Sequence, residues 1–159
     1  MALPFVPQCA HHHSMKRIVV GVDGSPGSIA ALSWAVGIAA ETGAEVDAVT
    51  VWELSYGWVE GGWAPDVGRW ADEARRDAEA RLDKAVAALP GGTGKDVAVT
   101  RTVLEGPVVQ VLLDAAKSAD MLVVGSRGRG GFAGLLLGSV SQQCVHHARV
   151  PVVVVPQPD

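Results

Sequence analysis

Cysteine is nearly missing: the chain has two among 159 residues, Cys9 and Cys144. That rules out a disulfide framework and fits a reducing compartment. Aromatic residues are also few, at 5%. No apolar run approaches the roughly 18 residues that a membrane-spanning helix needs, so no membrane partner is expected. The N-terminus lacks the basic and then apolar pattern of a secretory signal, and the expected location is cytoplasmic. A basic excess is missing too: 13 Lys and Arg stand against 17 Asp and Glu, for a net charge of −4. A broad nucleic-acid footprint needs a basic surface, so no nucleic-acid partner is expected. A single phosphate pocket survives this exclusion, because backbone N–H groups can hold an anion without net positive charge.

What is present is apolar and rich in alanine, valine and glycine, with 19% charged residues, which argues against disorder. Residues 1–14, with His11, His12 and His13 ahead of Ser14 and Met15, read as a vector-derived tag; one domain is expected over 15–159. Within it, KRIVVGVD (16–23) reads as a buried strand. Ser25-Pro26 supplies an N-cap and a first-turn proline for a helix with Ile29, Leu32, Ala35, Val36 and Ala39 at helical spacing, stopped by Gly43. AEVDAVTVW (44–52) is a second strand, followed by a Trp- and Gly-rich excursion over 53–68. A helix over 69–89 carries the stripe Trp70, Ala74, Ala78, Leu82, Val86 and Leu89. Strands follow at 96–103, 121–125 and 150–155, with helices from Glu105-Gly106-Pro107 to about Ser118 and over 139–148. Alternating strands and helices imply an α/β fold of Rossmann-like type: a five-stranded parallel, doubly wound sheet with about four helices.

Open sheets of this kind bind ligands beyond the carboxyl ends of their strands, where the strand order reverses. Two strand ends stand out. The first ends in Gly21-Val22-Asp23-Gly24, and the fourth runs into Gly125 and a loop with six glycines in fourteen residues: 125, 128, 130, 131, 134 and 138. In the order 3-2-1-4-5 these two strands are neighbours. Glycine lets backbone approach a ligand closely, and Gly138-Ser139 opens a helix whose free N–H groups favour an anion. Ser139 and Ser141 add hydroxyls; Arg127 and Arg129 add charge. A strand, a glycine loop and a helix N-terminus together make a phosphate cradle. Its spacing is not that of a P-loop, since no lysine precedes Ser139. Nor does Gly128-Arg129-Gly130-Gly131-Phe132-Ala133 behave as a dinucleotide fingerprint: it follows the fourth strand, and residues 146–155 hold no acidic partner. A pyrophosphatase-type SGGxDS loop is absent as well.

These residues carry a family resemblance. Gly125-x2-Gly128-x9-Gly138-Ser139 is similar to the G-x2-G-x9-G-[S/T] motif of the ATP-binding universal stress proteins. VGVDGSPGS, Glu105-Gly106-Pro107 and VPVVVVP resemble other segments of that family, and the likeness covers 15–157. It implies the strand order 3-2-1-4-5, frequent homodimers, and ATP with Mg²⁺ as ligand. By position, Gly21 and Val22 lead into the site and Asp23 lies near the ribose and metal. Val51 lines the adenine pocket, and Gly125, Arg127, Gly128, Gly138, Ser139, Val140 and Ser141 contact ribose and phosphates. The 53–68 segment departs from the family pattern, so no role transfers to it.

The adjacent His146 and His147 point to different sides of a helix, against a zinc site that needs i, i+4 spacing. Cys144, inside a helix, reads as a small buried hydrophobe. Asp23 also fits a plain capping role, Val51 plain core, and Trp58 and Trp63 a base cover, a partner surface or local packing. No general base and no third-strand lysine of the kinase kind is in evidence, and no catalytic residue is assigned. The expectation is a nucleotide-dependent stress-response module with at most slow hydrolysis, homodimeric through the apolar last strand. The alternatives are a nucleotide-independent homodimeric interaction protein, a cyclic AMP binder and a true nucleotide hydrolase.

Overall fold

Strands form where valine and isoleucine are concentrated. β1 (Arg17–Gly21), β2 (Glu45–Trp52), β3 (Val99–Glu105), β4 (Met121–Gly125) and β5 (Val152–Val155) pair in parallel, in the order β3-β2-β1-β4-β5. The computed structural model describes residues 14–53, 67–89, 97–130 and 136–158. The tag expectation lies almost wholly outside those residues, as do Trp58, Trp63, most of the 53–68 segment, Gly131 and Gly134.

Among the described residues four helices connect the strands: α1 (Pro26–Thr42), α2 (Val67–Ala87), α3 (Val108–Ala116) and α4 (Ser139–His147). α1 starts where Ser25, in extended conformation, takes the Ser28 N–H on its side chain, and Pro26 follows at the first turn. It stops at Gly43, whose φ of 74° only glycine adopts cheaply. α1 and α2 cover one face of the sheet, over Ile18, Val20, Val46, Ala48 and Val123. α3 and α4 cover the other, over Val19, Val49, Leu122 and Val124. β4 is buried on both faces, as its unbroken apolar run requires.

Most expected boundaries hold within two residues. β3 starts and ends later than expected, because its ladder with β2 continues to Trp52 opposite Glu105. The apolar stripe of α2 is buried only from Ala78 onward, through Leu82, Val86 and Leu89. Trp70 does not join the core; it is 51% exposed. Cys144 is fully buried, and burial pushes its thiol up to about 11, as an inert hydrophobe.

Candidate functional site

The sheet reverses its winding between its two central strands. β1 leads through α1 to β2 on one side, and β4 leads through α4 to β5 on the other, so their carboxyl ends flank a crevice. Small residues let the walls of this crevice meet. A Cβ on Gly125 would fall 2.7 Å from the carbonyl carbon of Gly27, and one on Gly27 would fall 2.8 Å from the Arg127 oxygen. The start of α1 therefore rests directly on the end of β4, backbone against backbone. Gly21 makes room for Leu112, which would sit 3.1 Å from a side chain at that position.

The turn after β1 is tied to its neighbours at each residue. Val22 donates its N–H to the Val49 oxygen, and its own carbonyl accepts the hydroxyl of buried Thr50 at 2.8 Å. Asp23 accepts the Ser25 N–H on Oδ1 at 2.9 Å and the Arg129 N–H on Oδ2 at 3.1 Å. Its burial favours the neutral acid, but the hydrogen bonds from Ser25, Ser28 and Arg129 outweigh that and hold the carboxyl below the ordinary aspartate value. Asp23 is thus an anion with both oxygens already engaged.

The glycine loop is pinned where it leaves β4 and where it enters α4. Ser126 donates its N–H to Val155 of β5, and Gly138 donates to the Ser126 oxygen at 2.7 Å. The buried Ser141 directs its hydroxyl at the Ser126 and Gly138 carbonyls, both at 2.9 Å. That commits its proton to shaping the loop. Gly138 caps α4 without a side chain, so the N–H groups of Ser139, Val140 and Ser141, in the first helical turn, have no intrahelical partner.

A cavity of about 420 Å³ lies between these strand ends. All eleven residues singled out from the sequence line it: Gly21, Val22, Asp23, Val51, Gly125, Arg127, Gly128, Gly138, Ser139, Val140 and Ser141. The inner wall is apolar, from Val22, Val49, Val51, Val108 and Leu112; the rim is the glycine loop and the α4 N-terminus. Such a hollow takes a flat apolar group at one end and an anion at the other. The sequence reading did not place Ser25, Ser28, Val49, Val108 and Leu112 here. Period two from Val51 points to Val49, and i, i+4 spacing on α3 links Val108 to Leu112, so those three carried a usable signal.

Among the described residues that line the cavity, Asp23 is the one carboxylate. Among the described residues no cluster of three metal-ligating side chains occurs. This donor set suits Mg²⁺ only as a metal already carried by ligand phosphates, which is how that ion is often bound.

The profile of the universal stress protein family matches residues 15–156. The chain belongs to the universal stress protein family. A universal stress protein of Mycolicibacterium smegmatis is 38% identical over 146 residues, covering 92% of this chain and 47% of its own length. The chain spans about half the length of the curated relatives it matches. Among solved structures, universal stress protein UspA from Lactobacillus plantarum shares the fold with a TM-score of 0.75 at 22% identity, over 89% of this chain and 97% of its own. A universal stress protein solved in complex with cAMP is 27% identical, with a TM-score of 0.57 over 91% of this chain and 99% of its own. For this universal stress protein no helix of the described residues is long and apolar enough to cross a membrane.

Proposed function

We propose that this chain binds ATP as its Mg²⁺ complex in the cavity between the ends of β1 and β4, and works as a nucleotide-dependent stress-response module. The observation that carries the reading is the division of that cavity. Its apolar wall of Val22, Val49, Val51, Val108 and Leu112 suits adenine, and its rim presents the α4 N-terminus and glycine loop to phosphates. Arg127 and Arg129 add positive charge at that rim. Bound Mg²⁺ would supply charge neutralisation between phosphate oxygens. Asp23, the nearest carboxylate, is engaged by two backbone donors. Among the described lining residues Asp23 is the one carboxylate and both its oxygens are engaged, which supports a module with at most slow hydrolysis that acts through its bound state.

The test is a calorimetric titration of the full chain with ATP and Mg²⁺, beside Gly138→Val. Saturable binding that the variant loses supports the reading; silence from the wild type sinks it. Cyclic AMP belongs in the same titration, because a solved relative at 27% identity was captured with it. Tighter binding of cyclic AMP than of ATP would replace the triphosphate reading.

The working unit is a homodimer formed along β5. This strand is one of the two edges of the sheet, and its four valines are each partly exposed. Edges of this kind seek a partner. Light scattering at the mass of one chain, at micromolar concentration with and without ATP, would refute the dimer.

A further inference from the structure

The Asp23 contacts go beyond what a ligand-contacting residue needs. Its Oδ2 lies 3.1 Å from the Arg129 nitrogen, 106 residues away in sequence, and its Oδ1 lies 2.9 Å from the Ser25 nitrogen. The remaining ties of the glycine loop, among the described residues, run to β5 and α4: Ser126 to Val155, Gly138 to Ser126, and Ser141 to Ser126 and Gly138. Asp23 is therefore the hydrogen-bonded link from the β1 side to the outer part of that loop. Gly128 is what allows the approach. A Cβ there would fall 2.6 Å from Asp23 Oδ2, and its backbone is not in the left-handed region, so side-chain volume is the sole objection to alanine.

We propose that Asp23 is a positioning residue that latches the glycine loop onto the β1 turn before any ligand arrives, so that the rim of the pocket is preorganised across the switch point. Preorganisation of this kind strengthens binding by lowering the ordering cost at the moment of association. The effect on affinity rests on the nucleotide reading above; the latch itself does not. A carboxylate is required, because it offers an acceptor to each of two N–H donors. An asparagine in the same place would accept from one and set its own NH₂ against the other.

The experiment compares wild type, Asp23→Asn, Asp23→Ala, Gly128→Ala and the double variant Asp23→Ala/Gly128→Ala, as full chains. In the absence of nucleotide, exchange of the Arg129 amide is expected to be about tenfold faster in Asp23→Ala, in keeping with the loss of one charge-assisted hydrogen bond, while Asp23→Asn speeds exchange at one of the Ser25 and Arg129 amides. Amides of β2 are expected to keep their wild-type protection, which separates loss of the latch from general loosening. With Mg²⁺ and ATP, Gly128→Ala is expected to weaken binding in the wild-type background and to add little once Asp23 is alanine, since both changes break one contact. Wild-type exchange at Arg129 in Asp23→Ala overturns the latch, and so do fully additive effects of the two substitutions on affinity. If wild type binds no nucleotide at all, the functional reading falls, while the ligand-free exchange still decides the latch.

Discussion

The two faces of the sheet are built to different standards. α1 and α2 run for 17 and 21 residues and cover the larger buried cluster, in which Ile18, Val20, Leu32, Val46 and Leu82 are all essentially inaccessible and Ile29, Val36 and Val153 are partly covered. α3 and α4 are 9 residues each, and the buried cluster beneath them is smaller, with Val51, Leu104, Val108, Val140 and Val154 only partly covered. The pocket opens on this second face, where short helices leave apolar wall uncovered. One face holds the fold together, and the other gives up coverage to keep a hollow. Apolar surface left partly open at a concave site is the usual mark of a binding region.

That contrast can be broken by substitution. Leu82→Ala, in the larger cluster, is expected to cost about 2–5 kcal/mol of stability in urea unfolding. Nucleotide affinity should be unchanged wherever the variant is still folded. Leu112→Ala, on the pocket face, is expected near the low end of that range, about 2 kcal/mol, because the vacated space adjoins the pocket. It should weaken nucleotide binding as well. Equal stability losses with equal, unchanged affinities would erase the distinction between the faces.

Gly138→Val is expected to keep the fold, since a Cβ at that position meets its nearest atoms at 3.5 Å or more, an ordinary contact. Affinity for ATP should drop by about tenfold or more as the side chain crowds the α4 N-terminus, about 1.4 kcal/mol. Circular dichroism and calorimetry together read both halves of this expectation. Gly125 is the counter-example in the same loop, for there a Cβ meets backbone at 2.7 Å.

The pH dependence of Asp23 follows from its lowered pKa, in which burial, the largest influence, is overcome by its hydrogen bonds. The folded value lies below the unfolded one, so the stabilisation is complete above the unfolded value of about 4. It disappears as pH falls through the folded value. The stability difference between wild type and Asp23→Asn should accordingly be flat from pH 6 to 8 and narrow only in acid. A difference that shrinks near neutrality contradicts the assignment. The smallest effect is expected at the far surface of α2. There the exposed Arg75–Glu79 pair, 2.9 Å apart at i, i+4, should contribute no more than about 0.5 kcal/mol in a double-mutant cycle.

Much of this architecture was legible in the residues. The parallel pairing follows from alternating strands and helices, the strand order came with the family resemblance, and the ends of α1 follow from Ser25, Pro26 and Gly43, because caps act within a few residues. The switch point drew attention to the ends of the first and fourth strands, while Val51 and Val140 came from the family resemblance; all eleven line the cavity. The extent of β3 was not, since it is fixed by pairing with β2, a partner about fifty residues away. Trp70 was misplaced for a related reason: periodicity tells which side of a helix is apolar, but not which positions on that side the rest of the chain covers. The Asp23–Arg129 hydrogen bond was invisible because 106 residues separate its ends. Nothing local in either segment announces the other.

The central position of β1 also has a consequence for how the chain assembles. One edge of β1 pairs early with β2, but the other waits for β4, with Ile18 opposite Met121. The same seam is sealed at its base by Asp120, whose carboxylate accepts the N–H groups of Lys16 and Arg17 from 104 and 103 residues away. A chain leaving the ribosome therefore carries a bare hydrophobic strand edge until residues near 125 have emerged, and closing so long a loop is the slow entropic step. In pulse-labelled refolding, amides bridging β1 and β4 should gain protection after those bridging β1 and β2; simultaneous protection would contradict that order. The pocket, which straddles the late seam, comes into being last, and the interval before it does is when the chain is most exposed to aggregation.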